Sequence, residues 1–268
     1  MQLRIDGHPV QVYTGTREPR PGRFTLLFVH GAGMDHSVWV LQSRYFAFHS
    51  DNVLAVDLPG HGGSGGAPLP RIEVLGDWLA RVLDATGAGP AAVIGHSMGA
   101  LAALELAARH PGRIAGLALL GVGYPMPVAD ALLAAARDDL PAAIGMIVRW
   151  GHGSRAQLGG NRVPGLWLTG MTERLLERSA PGVLHADLAA CNDYAGGLES
   201  AARVRCPTLL ISGQRDLMTP PRAARALGDA IASSRSVLVE DCGHMLMGES
   251  PDAVLDALID WRRPLNGI

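Results

Sequence analysis

Residues 24–29, 53–56, 91–94 and 114–120 are short runs that are apolar at almost every position, and between them lie segments whose apolar residues recur with helical period, as at 72–83 and 101–108. A strand with one wet face alternates apolar and polar residues, whereas a continuously apolar strand is covered on both faces. Such strands alternating with helices describe a mostly parallel sheet flanked by helices. Before this pattern begins, residues 3–5 and 10–13 flank the turn signal Asp6-Gly7 and read as an antiparallel hairpin at the sheet edge. The rhythm stops between 122 and 205, a stretch rich in Ala, Leu, Met and Gly with helical segments at 130–136 and 172–178. Strand signals return at 208–211 and 236–239, and an amphipathic helix follows at 252–261. The expectation is an eight-stranded α/β core made of residues 1–121 and 206–268, with a helical insertion, 122–205, after the sixth strand. At 268 residues the chain can bury such a core unaided.

Composition narrows the partners. With 48% apolar and 18% charged residues and no long run of one charge, the chain is a folded globular protein. A formal net charge of −2 gives no basic excess for a nucleic-acid backbone or an anionic membrane, so the expected partner is a small molecule. All 23 basic residues are Arg, and the absence of Lys excludes a Walker A loop, a Ser-x-x-Lys nucleophile and a Schiff base. Cys191, Cys206 and Cys242 form no C-x-x-C pair, which speaks against a disulfide framework or structural zinc and for a reducing compartment. His36, His152 and His185 sit in no metal-ligand pattern, so no metal is expected. No apolar leader follows Met1 and no apolar run reaches ~18 residues, so neither a signal peptide nor membrane insertion is expected and the chain reads as cytoplasmic.

Gly95-His96-Ser97-Met98-Gly99 follows one apolar run without a gap and opens directly into the helical segment 101–108. A serine on so tight a strand-to-helix turn projects its hydroxyl above a helix N-terminus, while glycines two residues either side let neighbouring backbone pass. Gly62-Gly63-Ser64-Gly65-Gly66 has the same pattern but runs into Ala67-Pro68-Leu69-Pro70, which no helix can follow at once. The overlapping G-x-G-x-x-G at Gly60, Gly62 and Gly65 fails as a dinucleotide site, because the next strand ends in Gly95 with no acid for a ribose. A nucleophilic serine needs a base and an orienting acid. Of ten histidines, His244 stands at the end of a late strand, and Asp216, in Gly213-Gln214-Arg215-Asp216, stands just past the strand at 208–211. His30, His61 and His96 read instead as residues that hold loops by hydrogen bonds.

Taken together, Phe28-Val29-His30-Gly31-Ala32-Gly33, Asp57-Leu58-Pro59-Gly60-His61-Gly62, Gly95 to Gly99, Gly213 to Asp216 and Gly243-His244 resemble, in order and spacing, the motifs of the α/β-hydrolase superfamily, and the likeness covers the chain outside the insertion. The resemblance implies a Ser97, Asp216, His244 triad, in the chain order of that superfamily. It implies an oxyanion hole from the backbone N–H groups of Ala32 and Met98. It also implies that the insertion is a lid, similar to that of bacterial members with a cap domain, whose inner face selects the substrate. Candidate pocket residues are Trp39, Met146, Trp150, Trp167, Met171, Asn192 and Met245. The leading expectation is hydrolysis of small to medium apolar acyl or aryl esters through an acyl-enzyme, without cofactor or metal. A C–C bond hydrolase or a cofactor-free haloperoxidase or perhydrolase could use the same triad, and a ligand-sensing receptor could keep the fold. A lid arginine such as Arg149 or Arg155 facing Ser97 would favour C–C cleavage.

Overall fold

The computed structural model describes residues 1–49 and 51–267; Ser50 and Ile268, which the sequence reading counts within the core, lie outside the described residues. Eight strands, β1 (Gln2–Ile5), β2 (His8–Tyr13), β3 (Thr25–Val29), β4 (Asn52–Val56), β5 (Ala91–His96), β6 (Ile114–Leu120), β7 (Thr208–Gly213) and β8 (Ser234–Val239), form one sheet in the order β1-β2-β4-β3-β5-β6-β7-β8. The pairings β1 with β2 and β2 with β4 are antiparallel and the other five are parallel.

The uninterrupted apolar runs have a direct cause. On β3, Leu27 and Val29 enter a core shared with α2 (Ile72–Ala85) and α3 (Met98–Arg109), while Leu26 and Phe28 enter a second core with α1 (Val40–Phe48) and α12 (Pro251–Arg262). Successive side chains of a strand point to opposite faces, and here both faces are covered. Residues 98–108 of α3 are all buried, which is why this helix is built from alanine, leucine and glycine.

Between β6 and β7 the chain is helical: α4 (Asp130–Asp138), α5 (Leu140–Gly151), α6 (Ser154–Gln157), α7 (Leu168–Glu177), α8 (Val183–Asp193) and α9 (Gly197–Arg203). A third apolar cluster joins Leu132, Ile144, Ile147, Leu176, Leu184 and Leu188 of these helices to Met34 and Met245 of the core. Helices α10 (Arg225–Ala230) and α11 (Leu246–Glu249) complete the set. The chain leaves β3 for β4 on one side and returns to β5 on the other, so the carboxyl ends of β3 and β5 flank a point where strand order reverses. Open α/β sheets hold their ligands in the crevice at such points.

Candidate active site

Ser97 follows β5 and caps α3 with φ 53° and ψ −119°, a conformation an L-residue keeps only when its surroundings impose it. Its N–H donates to Leu120 O at 2.9 Å, and the flanking glycines have no room to be anything else. A Cβ on Gly95 would lie 2.2 Å from Gly99 O, and one on Gly99 would lie 2.3 Å from His30 O. Met98 is the first residue of α3, where amide groups have no partner within the helix. Ser64, from the second G-x-S-x-G, is instead a loop pin: its hydroxyl donates to Asp57 O at 2.7 Å and accepts from Gln11 N at 2.9 Å.

Asp216 and His244 come from the loops after β7 and β8, and Asp216 Oδ2 lies 2.7 Å from His244 Nδ1. Asp216 Oδ1 accepts the N–H groups of Met218 and Thr219, each at 2.8 Å. The Thr219 hydroxyl lies 2.8 Å from Asp216 Oδ2, 2.9 Å from Gly121 O and 3.1 Å from His244 Nδ1. Burial alone would push the Asp216 carboxyl up, but the His244 ring and the Thr219 donors outweigh it and hold it below the usual range. His96 packs at 4.7 Å between ring centroids from His244, and its Nε2 is 2.9 Å from His244 O. Burial, then the neighbouring His244, lower its pKa to about 3, so it stays neutral.

Ser97 and His244 open into one cavity of about 380 Å³, whose wall includes Gly31 and Ala32 of the loop after β3. A volume of this size accommodates a small to medium ligand. Of the residues expected at the pocket, Trp150 and Met245 line it; five others do not. Trp39 is sealed in the core at 0% exposure against the Phe28 ring, because the 3-10 turn His36–Trp39 swings it under the sheet. On α5, Ile147 and Trp150 face the cavity, which turns Met146 aside. Trp167 is 66% exposed and lies over Gly170, Met171 lines a neighbouring cavity, and Asn192 is exposed, with Oδ1 accepting Val128 N–H at 3.1 Å. The wall that sequence reasoning missed includes Met34, Leu188, Leu217 and Met218. Met34, three residues beyond Gly31, and Met218, two beyond Asp216, could have been found by asking what else the motif loops carry.

The helical segment between β6 and β7 is stitched to this site by two buried carboxylates. Asp187 of α8, 2% exposed, accepts Gly33 N–H at 2.8 Å and lies 2.7 Å from His61 Nε2, so one oxygen joins α8 to the loops after β3 and β4. Burial opposes a charge on His61, but Asp187 overrides it and raises the ring's pKa. Glu249 of α11 accepts the N–H groups of Gly153 and Gly243 at 2.9 and 3.1 Å, and Gly151 O accepts those of His244 and Met245 at 2.9 and 3.1 Å. His30 is buried, accepts Leu58 N–H on Nε2 at 3.0 Å, and has its pKa lowered to about 4 by burial and by His61. Asp35, His36 and Asp57 also cluster, but Ser37, His36 and Gly63 amides, the His36 ring and Arg178 already occupy their carboxylates. All three cysteines are free and buried, and burial pushes the Cys242 thiol up to about 12, far from a nucleophilic thiolate.

The Alpha/beta hydrolase family profile matches residues 26–257. A pimeloyl-[acyl-carrier protein] methyl ester esterase of Aromatoleum aromaticum is 33% identical over 234 residues, covering 82% of this chain and 90% of that protein. An (E)-2-((N-methylformamido)methylene)succinate hydrolase of Acinetobacter baylyi is 25% identical, covering 88% and 89%. Among solved structures, the enol-lactonase of Burkholderia xenovorans superposes with a TM-score of 0.84 at 22% identity, covering 97% of this chain and 99% of its own. An esterase from Exiguobacterium antarcticum reaches 0.85 at 17% identity, covering 98% of each. By its profile match, its sequence relatives and its fold, this chain belongs to the alpha/beta hydrolase family.

Proposed function

We propose that the chain is a serine hydrolase that cleaves carboxylic esters of small to medium apolar acyl or aryl groups. The observation that carries this reading is His244, bonded to the buried Asp216 at 2.7 Å and opening into the same apolar cavity as the strained Ser97. With Nδ1–H donated to Asp216, His244 presents an unprotonated Nε2. That nitrogen takes the Ser97 hydroxyl proton as the oxygen attacks the ester carbonyl, and returns it to the leaving alcohol. The N–H groups of Ala32 and Met98 stabilise the tetrahedral oxyanion, each donor contributing about 3 kcal/mol. Water then repeats the sequence on the acyl-enzyme and frees the acid. The helices of residues 122–205 act as the lid that keeps the site apolar.

The cavity wall favours an apolar ester over an acidic diketone. Among the described residues lining it there is no arginine, and Arg149 and Arg155 are both exposed, with Arg155 Nε donating to Gly160 O. The test is labelling with a fluorophosphonate probe, peptide mass spectrometry, and turnover of nitrophenyl esters by wild type and Ser97→Ala. Labelling at Ser97 and loss of turnover in the variant are expected. Turnover surviving in Ser97→Ala ends the assignment, and labelling with no ester turnover redirects it to C–C cleavage or ligand sensing.

A further inference from the structure

A second cavity, of about 370 Å³, lies beside the first, between the segment after β3 and α7, and the two share Met34 and Met245 as wall residues. We propose that this second cavity is a distal subsite for a long unbranched apolar chain, separated from the reaction chamber by those two methionines; the proposal rests on the Ser97 esterase reading and extends its substrate range. Three observations carry it.

The partition is made of the side chain best suited to moving. Methionine is unbranched with three rotatable bonds, so it opens and refills a gap at little cost. Met34 and Met245 are 5% and 7% exposed, each follows a loop that borders the reacting atoms, and no polar side chain shares the partition with them. A chain attached at Ser97 therefore meets an apolar, adaptable wall with a cavity of equal size behind it.

The charged side chains that border the second cavity are exposed and already paired with carboxylates, which bears on the class of occupant. Arg174 pairs with Glu177 and Arg178 pairs with Asp35. The buried His152 and Thr172 bond each other at 3.2 Å. What the cavity offers a ligand is Val38, Leu168, Leu175 and Met247, a surface for methylenes rather than for a carboxylate or phosphate.

The cavity reaches solvent at apolar residues. Leu41 and Met171, at 37% and 46% exposure, are large hydrophobic residues that line this cavity and reach solvent. Isolated, they would be ordinary surface residues; at the mouth of an apolar cavity they give a chain end a way out.

The experiment measures kcat/KM on nitrophenyl esters from four to twelve carbons in the wild type, in Leu175→Trp, which fills the second cavity from its α7 wall, and in Met34→Ala, which thins the partition. The readout is the twelve-to-four-carbon ratio within each variant, which does not depend on how much of it folds. Leu175→Trp is expected to lower the ratio at least tenfold and Met34→Ala to raise it at least threefold. Hydrolysis of the four-carbon ester with a ratio unmoved by both variants overturns the distal subsite alone. Absence of turnover on every ester in the wild type ends the esterase reading, and this proposal with it.

Discussion

Replacing Asp216 by Asn should be worse than replacing it by Ala. Asp216 Oδ1 accepts two backbone N–H groups, those of Met218 and Thr219. An amide at this position must therefore turn its oxygen toward them and its NH2 toward His244. The NH2 then donates to Nδ1, the ring proton moves to Nε2, and His244 can no longer accept the Ser97 proton. The same tautomeric error in a serine protease triad lowers kcat by about 10⁴, or about 5.5 kcal/mol at 1.36 kcal/mol per tenfold. In Asp216→Ala the Thr219 hydroxyl, 3.1 Å from Nδ1 and 2.9 Å from Gly121 O, accepts Nδ1–H while donating to Gly121, so the productive tautomer survives without its anion. The Ala variant should turn over nitrophenyl butyrate at least tenfold faster than the Asn variant. It should also melt lower, because the buried N–H of Thr219 loses its acceptor at about 1–3 kcal/mol and the half-buried N–H of Met218 at less. The assay is kcat per fluorophosphonate-titrated site, with thermal melts alongside. An Asn variant as active as the Ala variant, or within a hundredfold of wild type, would refute the tautomer argument.

Three other outcomes are expected. Burial raises the Glu249 carboxyl above its usual range despite the Gly153 and Gly243 amides, so ionising it disfavours the folded state as pH rises from the unfolded value, about 4.3, through the folded one. The melting temperature of Glu249→Gln relative to wild type should therefore climb between pH 4.5 and 7; a flat difference would contradict this. His61 is raised in the fold, so its stabilising pair with Asp187 is fully present below about 6.5 and fades as pH passes the higher folded value. Asp187→Asn should accordingly lower the melting temperature most on the acid side of 6.5, and reduce kcat more than it raises KM because Gly33, beside Ala32, loses a charged acceptor. Finally, Gly99→Ala should lose about 3 kcal/mol or more in chemical denaturation, since its Cβ meets the fixed carbonyl of His30.

Much of the fold could be read from the chain because strand burial and strand composition have one cause. The runs at 114–120 and 208–211 fall within β6 and β7, and the helical segments at 72–83 and 130–136 lie inside α2 and α4. Helices α1 and α8 gave no comparable signal: each buries a single face, but polar residues sit on it, Gln42 and Ser43 in α1 and Asp187 in α8, while Leu41 and Phe48 of α1 are exposed, so the apolar positions do not mark the buried stripe. Helix α5 begins Leu140-Pro141, a proline that reads as a break in sequence but sits harmlessly in a first turn.

For the site, local chemistry and distant packing divide cleanly. A strand running straight into Gly-His-Ser-Met-Gly and then into a helix marks the elbow by itself, because the tight turn and the Gly95–Gly99 clearance are local, although Gly99 also clears His30 O just past the neighbouring strand β3. Which acid meets His244, which residues wall the cavity, and how the insertion holds the loops depend on segments far apart in the chain, such as Asp187 and Gly33 at a separation of 154 residues. No periodicity records such an encounter. Trp39 illustrates the limit: its distance from His30 along the chain suggested a place at the pocket, and one turn of 3-10 helix put its ring under the sheet instead.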